Sequence, residues 1–165
     1  MKILIISSNL IGDTILSTGV INYFHQNHPE AKFTFLIGPS AGQIYKNFLA
    51  KENIILVRKM KFNFHWIYMY SKVMKIKWDI VIDFRSSLIS YFLNTKKKYI
   101  FKKSKKLNQI DQLKNFFLIK NFSMFISLNN AEKNEASLII KNKFQYLILF
   151  PGGNWKPKIW PDYYF

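Results

Sequence analysis

The sequence of 165 residues contains no cysteine, and this absence excludes two classes of protein. Without thiols the chain has neither a disulfide scaffold nor a cysteine-ligated metal site. The three histidines, His25, His28 and His65, are scattered. His25 and His28 come just before Pro29, where exposed residues at a helix end are the simplest interpretation. We therefore expect no metal site and no cofactor.

Long hydrophobic runs are also missing. No apolar segment approaches the roughly 18 residues that span a bilayer. The opening segment resembles a signal peptide for only four apolar residues, Ile3 to Ile6, before Ser7, Ser8 and Asn9 interrupt it. This pattern predicts a first β-strand and a cytoplasmic protein.

Several nucleotide-binding motifs are absent. The chain has neither a G-x-G-x-x-G fingerprint nor a Walker sequence, so a standard phosphate-binding loop is excluded. It has no D-x-D pair of carboxylates that would hold a metal–nucleotide complex, and no serine lies beside a base by motif. A nucleotide- or flavin-binding Rossmann-like protein is accordingly disfavoured.

Negative charge is scarce: the chain has nine acidic and 25 basic residues, which give a net charge of +16. Such a field favours anionic partners such as lipid headgroups, phosphorylated glycans or nucleic acid. Seven lysines lie between Lys96 and Lys106, interleaved with Tyr99, Ile100 and Phe101. A solvated face is the ordinary interpretation, and contact with an anionic membrane or a phosphorylated acceptor is the alternative. With only two arginines, we expect no nucleic-acid partner.

Apolar runs alternate with helical patterns along most of the chain, which predicts an α/β fold with a Rossmann-like parallel sheet covered on both faces. The predicted strands are 2–7, 32–37, 54–57, 79–84 and 98–101. The predicted helices are 13–28, 40–51, 62–77, 107–122 and 131–143.

A second unit begins near the end of the sequence. Residues 146–150 form an apolar run that predicts a strand, and a Pro-Gly-Gly turn follows it. A strand–loop–helix unit needs neighbouring strands to bury it. We therefore expect a first domain over residues 1–143 and the beginning of a truncated second domain over residues 144–165.

The first strand–helix turn contains the first candidate site. Ligands in open α/β sheets bind beyond the carboxyl ends of the strands, which is where Asn9, Gly12 and Asp13 lie. Gly12 permits close backbone approach or a positive φ. Asp13 either caps the helix or acts as a general base toward an acceptor hydroxyl.

Two further segments carry candidate ligand contacts. Asp83 and Arg85 end the predicted strand 79–84, where they either hold an anionic substrate or pair with each other to order a loop. Near the end of the chain, Gly153 and Asn154 belong to a turn that presents backbone N–H groups to an anion, and Lys158 adds a charge for a diphosphate.

Three segments together resemble the ADP-heptose:lipopolysaccharide heptosyltransferases of glycosyltransferase family 9. They are residues 3–13 with Ser17 and Thr18, residues 78–85, and residues 150–155 with 158–161. The family has the GT-B fold, in which two Rossmann-like domains face each other across a cleft. The resemblance covers the whole chain but only the first half of a family member.

The resemblance implies a function and roles for the candidate residues. Asp13 matches the family's catalytic base, Gly12 the glycine beside the substrate, and Lys158 a lysine on the donor's phosphates. Gly153 and Asn154 match the loop beside the diphosphate. The implied reaction transfers heptose from ADP-heptose to a lipid-linked lipopolysaccharide core acceptor, by inverting displacement without a metal.

The resemblance also implies a cytoplasmic enzyme in peripheral contact with the anionic inner-membrane surface. One departure concerns acceptor contacts, because Ser86 and Ser87 stand where the family often has Gly-Asn. A truncated chain would turn over little alone, since both substrates must be positioned. The competing interpretation is a non-catalytic basic remnant that binds anionic surfaces.

Overall fold

The computed structural model of the chain describes residues 1–48, 53–58, 60–140 and 145–148, together with residues 159, 161 and 163. It divides into two compact units, residues 1–127 and residues 128–165. The predicted boundary between residues 143 and 144 falls within the second unit and stays a prediction. Within the described residues, no helix is both long and apolar enough to cross a membrane.

The first unit alternates strands and helices. Its strands are β1 (Lys2–Ile6), β2 (Lys32–Ile37), β3 (Ile54–Leu56), β4 (Trp78–Asp83) and β5 (Thr95–Ile100). Its α-helices are α1 (Ile11–Asn27), α2 (Pro39–Gly42), α3 (His65–Val73), α4 (Ile89–Phe92) and α5 (Gln109–Phe117). Short 3-10 helices cover Gln43–Tyr45 and Lys61–Asn63.

The five strands form one parallel sheet in the order β3-β2-β1-β4-β5. The α/β fold class expected from the sequence is therefore confirmed. β1 is central, and its last residue, Ile6, lies between Leu36 of β2 and Asp83 of β4. All strands point the same way, so the loops after β1, β4 and β5 lie at one edge of the sheet, the carboxyl edge.

Side chains of β1 alternate between two hydrophobic cores, as the pleat of a strand requires. Ile3 and Ile5 pack on the face covered by α1 and α5. Leu4 and Ile6 pack on the opposite face, covered by α3 and α4. Burial on both faces explains why this strand reads as a continuous apolar run.

The lysine-rich segment differs from its expected form. The predicted strand 98–101 begins earlier, at Thr95, so Lys96, Lys97 and Lys98 are part of β5. Within the described residues β5 is an edge strand, paired only with β4. Lysines on an edge strand hinder pairing with another chain, which gives these three a structural role of their own.

Several predicted helices are shorter in the structure. The pattern at 40–51 yields α2 and a 3-10 helix that ends at Tyr45, and residues 49–52 lie outside the described part. The pattern at 62–77 yields α3, and α4 is a helix that the sequence pattern did not predict. Helix 107–122 is shortened to α5, because Leu118 adopts a left-handed conformation (φ 54°) that ends it.

The second unit contains α6 (Asn130–Ile139), which the sequence predicts as helix 131–143. A capping box begins this helix: the Asn129 side chain accepts from the Glu132 N–H, and the Glu132 carboxylate accepts from the Asn129 N–H. Residues 145–148 have no regular secondary structure, so the predicted strand 146–150 is wrong over its described residues. Leu149 and Phe150 lie outside them.

Asp79 gives the first prediction, a loss of stability in acid. Its carboxylate accepts a 2.6 Å ion pair from Lys96 and a 2.8 Å hydrogen bond from the Lys2 N–H. These bonds lower the pKa of Asp79 below its usual 3.8. The bond from Lys96 has the larger effect, and the bond from the Lys2 N–H has the next largest. A lowered folded-state pKa stabilises the fold above the unfolded pKa, and this contribution disappears as the pH falls through the folded value.

Asp79→Asn should therefore be less stable than the parent at neutral pH, and the difference should shrink below about pH 4. Urea denaturation of both proteins across this range measures it. Glu30→Gln, which removes an exposed carboxylate elsewhere, is the control. A difference between parent and Asp79→Asn that is unchanged in acid would contradict the prediction.

Candidate active site

The turn between β1 and α1 is built by hydrogen bonds of small polar residues. The Ser8 hydroxyl accepts from the Leu10 N–H at 3.1 Å. The Thr14 hydroxyl donates to the carbonyl oxygens of Leu10 at 2.9 Å and Ser8 at 3.2 Å. These contacts begin α1 at Ile11, two residues earlier than predicted, and place Asp13 in its first turn.

Tyr45 supports this first turn from beneath. Its ring lies 4.4 Å from that of Phe35, and its hydroxyl donates to the Thr14 carbonyl at 3.4 Å. Burial raises the pKa of Tyr45 far above the usual value for tyrosine. The side chain is therefore a neutral support at every physiological pH.

Gly12 and Asn9 lie on the exposed side of the turn. Gly12 belongs to α1 and its φ is not positive, so of the two roles that the sequence left open for it, the positive φ is not adopted. A Cβ at Gly12 would meet nothing within 4 Å, which leaves open space at the helix start. Asn9 is exposed, and its side chain lies against Gly38, where an added Cβ would meet its Oδ1 at 2.7 Å.

The Asp13 carboxylate lies at the carboxyl edge of the sheet and is 27% exposed. Its Oδ1 accepts a 3.0 Å ion pair from Lys103 Nζ, which follows β5. Leu10 holds the N-cap position, and no side chain caps the helix there. Within the described residues Oδ2 has no hydrogen-bond partner, so one carboxylate oxygen is held and the other is available.

The segment after β5 that carries Lys103 is anchored at two points. Phe101 donates its N–H to the Asp83 carbonyl and accepts from the Ser86 hydroxyl, each at 2.8 Å. Gln112 of α5 accepts from the Ser104 N–H at 2.6 Å and donates to the Ser104 carbonyl at 2.9 Å. These bonds hold Lys103 beside Asp13, although 90 positions separate the two residues.

Asp83 is fully buried at the end of β4. Its Oδ1 accepts from the Arg85 N–H at 2.7 Å, and its Oδ2 accepts from the N–H and hydroxyl of Ser87 at 2.6 and 2.7 Å. Both oxygens are thus committed to the chain's own loop. Asp83 therefore orders the loop, as one of the two interpretations from the sequence had it, but through backbone N–H groups and the Ser87 hydroxyl and not through a pair with the Arg85 guanidinium.

Arg85 is half-buried, and its guanidinium is not paired with the Asp83 carboxylate. It lies over the Trp66 ring, 5.4 Å from the centroid, in a cation–π contact. No acidic side chain within the described residues forms an ion pair with it. The guanidinium is therefore held in place by an aromatic ring without being neutralised.

The remaining candidates, Gly153, Asn154 and Lys158, lie outside the described residues. Sequence reasoning missed Lys103 and Gln112 as parts of the site. Lys103 was one of seven lysines in its segment, with nothing to single it out. Gln112 had no signal at all, because a buried glutamine that fixes a loop is recognised only from its contacts.

No protein-family model and no curated protein matches the chain. Among the solved structures that share its fold, two cover nearly the whole chain. One is E. coli heptosyltransferase WaaC with ADP, with a TM-score of 0.64, 17% identity and coverage of 98% of this chain and 61% of that one. The other is a glycosyl transferase family 9 structure from Veillonella parvula. It also has a TM-score of 0.64 and 17% identity, and the match covers 97% of this chain and 56% of the Veillonella chain.

The chain therefore spans less than two thirds of the length of either solved structure. At this identity the likeness is one of fold. The expected resemblance to glycosyltransferase family 9 is confirmed at that level: nearly the whole chain has the fold of a part of a GT-B glycosyltransferase.

Proposed function

We propose that the protein is a glycosyltransferase of the heptosyltransferase type, which transfers heptose from ADP-heptose to a lipopolysaccharide core acceptor. The observation that carries the proposal is the Asp13 carboxylate. It is held from one side by Lys103 and open on the other, at the edge of the sheet where ligands of α/β folds bind. The shared fold with glycosyltransferases supports it.

In the proposed reaction Asp13 is the general base. Its free oxygen takes the proton of an acceptor hydroxyl while the hydroxyl oxygen attacks the anomeric carbon of the donor. The bond from that carbon to the diphosphate oxygen breaks, and ADP leaves with the electron pair. Attack opposite the leaving group inverts the anomeric centre. The open space at Gly12 allows the acceptor to reach the carboxylate.

The acceptor is expected to be anionic. The exposed Lys102, Lys103, Lys105 and Lys106 follow β5, and Lys103 reaches Asp13. Arg85, which follows β4 at the same edge, offers a guanidinium for a phosphate or carboxylate. We assign the contacts with acceptor anions to these groups, with Asn9 as a neutral contact and Asp83 as the support of the Arg85 loop.

The donor is assigned to the later part of the chain. Gly153, Asn154 and Lys158 are proposed to hold the diphosphate, through backbone N–H groups and one ammonium charge that stabilise the departing ADP. The E. coli heptosyltransferase that shares the fold was solved with ADP, which supports a nucleotide-sugar donor.

A transfer assay with the whole protein tests the proposal. With ADP-heptose and a core acceptor that lacks heptose, we expect ADP release matched by a gain of one heptose in acceptor mass. Omitting the acceptor should abolish rapid release, and a metal chelator should not. Failure of transfer with every ADP-sugar tried, in a protein that still binds anionic surfaces, would favour the non-catalytic binding module instead.

A further inference from the structure

One face of the first unit exposes large apolar side chains to solvent. They lie on α3, on α4 and in the residues before each helix. The most exposed are Phe62 (90%), Leu88 (75%), Phe92 (72%), Ile67 (65%) and Phe64 (56%). Soluble monomers rarely leave a contiguous patch of this kind exposed unless it binds something.

The patch has a definite shape. Trp66, Ile67 and Tyr70 of α3 face Leu88, Ile89 and Phe92 of the α4 region across a shallow groove of about 320 Å³. The outward side of α3, which is normally polar in a surface helix, is apolar at Ile67, and Phe64 is exposed just before the helix. Phe62 is exposed, and its backbone is left-handed (φ 52°), a conformation that bulky residues rarely adopt.

Two cations lie against aromatic rings of this patch. Lys72 Nζ lies 5.4 Å from the centre of the Tyr68 ring, and the Arg85 guanidinium lies 5.4 Å from that of Trp66. From Arg58 to Lys106 the sequence has only two acidic residues, Asp79 and Asp83. The first is paired with Lys96 and the second is buried in its loop, so neither offers negative charge to an approaching surface.

We propose that this α3–α4 face, rather than the lysine run 96–106, docks the protein on a bilayer containing anionic lipids. Exposed aromatic and aliphatic side chains enter the boundary between headgroups and acyl chains, while the surrounding cations contact headgroup phosphates. α3 and α4 both follow the carboxyl ends of their strands, as α1 does with Asp13. The proposed docking concerns this face alone and does not depend on the proposed transfer reaction.

The absence of cysteine makes a direct test possible, because one introduced thiol can carry an environment-sensitive dye. Leu88→Cys places the dye on the patch. Leu118→Cys, at a residue 84% exposed at the end of α5 on the opposite face of the sheet, is the matched control. With phosphatidylcholine vesicles containing phosphatidylglycerol, we expect the Leu88 dye to shift to the blue and the Leu118 dye not to shift.

Vesicle sedimentation measures how much the patch contributes to the affinity for anionic vesicles. The double variant Leu88→Ser/Phe92→Ser should bind the anionic vesicles at least about tenfold more weakly than the parent. Leu118→Ser should bind as the parent does, and all variants should melt cooperatively. Unchanged binding of the double variant would show adsorption by lysines alone and overturn the proposal, as would equal dye shifts at both positions or a parent that does not bind.

Discussion

Asp13→Asn is expected to lower sugar transfer by about two to four orders of magnitude, the range in which general-base catalysis contributes. Asparagine has the shape of aspartate, and its amide oxygen can still accept a hydrogen bond from Lys103. It cannot accept the proton of an acceptor hydroxyl. The loss should fall on kcat, with little change in the KM of the donor, because the carboxylate acts in the transition state. Steady-state kinetics of ADP release measure both.

Two controls separate the loss of the base in Asp13→Asn from changes in stability and in net charge. The Asp13–Lys103 ion pair is partly exposed, so its removal should cost at most about 1 kcal/mol. Thermal melts should therefore be nearly superimposable. Glu30→Gln changes the net charge by the same amount at an exposed residue between α1 and β2, and it should retain full activity. Full transfer activity in Asp13→Asn would remove Asp13 as the base of the mechanism, and the base would have to be another group.

The sequence predicts one member of the Asp13–Lys103 pair and not the other. A base at the first strand–helix turn was expected, because the carboxyl edge of a parallel sheet is fixed once β1 and α1 are recognised. The partner of Asp13 was not expected, because it lies after β5 at a distance of 90 positions. Contacts of that kind depend on strand order and on loop anchors such as Gln112, and neither leaves a periodic trace in sequence.

The strands show a similar division. β1, β2 and β4 were predicted to within two residues at each end, since burial on both faces gives them uninterrupted apolar runs. β5 was predicted in part, because half of its residues are lysines that only an edge strand tolerates. Of the two roles that the sequence left open for Gly12, close backbone approach or a positive φ, the structure does not adopt the positive φ. A glycine near a turn suggests a special conformation, but here the helix simply begins one residue before it.

The second large effect is expected at Asp83. Asp83→Ala should lower the free energy of unfolding by about 3 to 5 kcal/mol, because two N–H groups and a hydroxyl lose a charged acceptor where water does not reach. Asp79→Ala removes a carboxylate from the start of the same strand, where it is partly exposed, and should cost much less. Urea denaturation followed by circular dichroism compares the two.

A milder variant in the same loop allows the comparison to be made if Asp83→Ala does not fold. Ser87→Ala removes one of the three donors and should cost about 1 to 2 kcal/mol. Because the same loop carries Arg85, loosening it should also raise the KM for an anionic acceptor while the donor KM stays constant. If Asp83→Ala were instead as stable as Asp79→Ala and yet inactive, Asp83 would be a direct substrate contact. The burial of Asp83 argues against that outcome, because the side chain is fully buried and both of its oxygens already accept hydrogen bonds from its own loop.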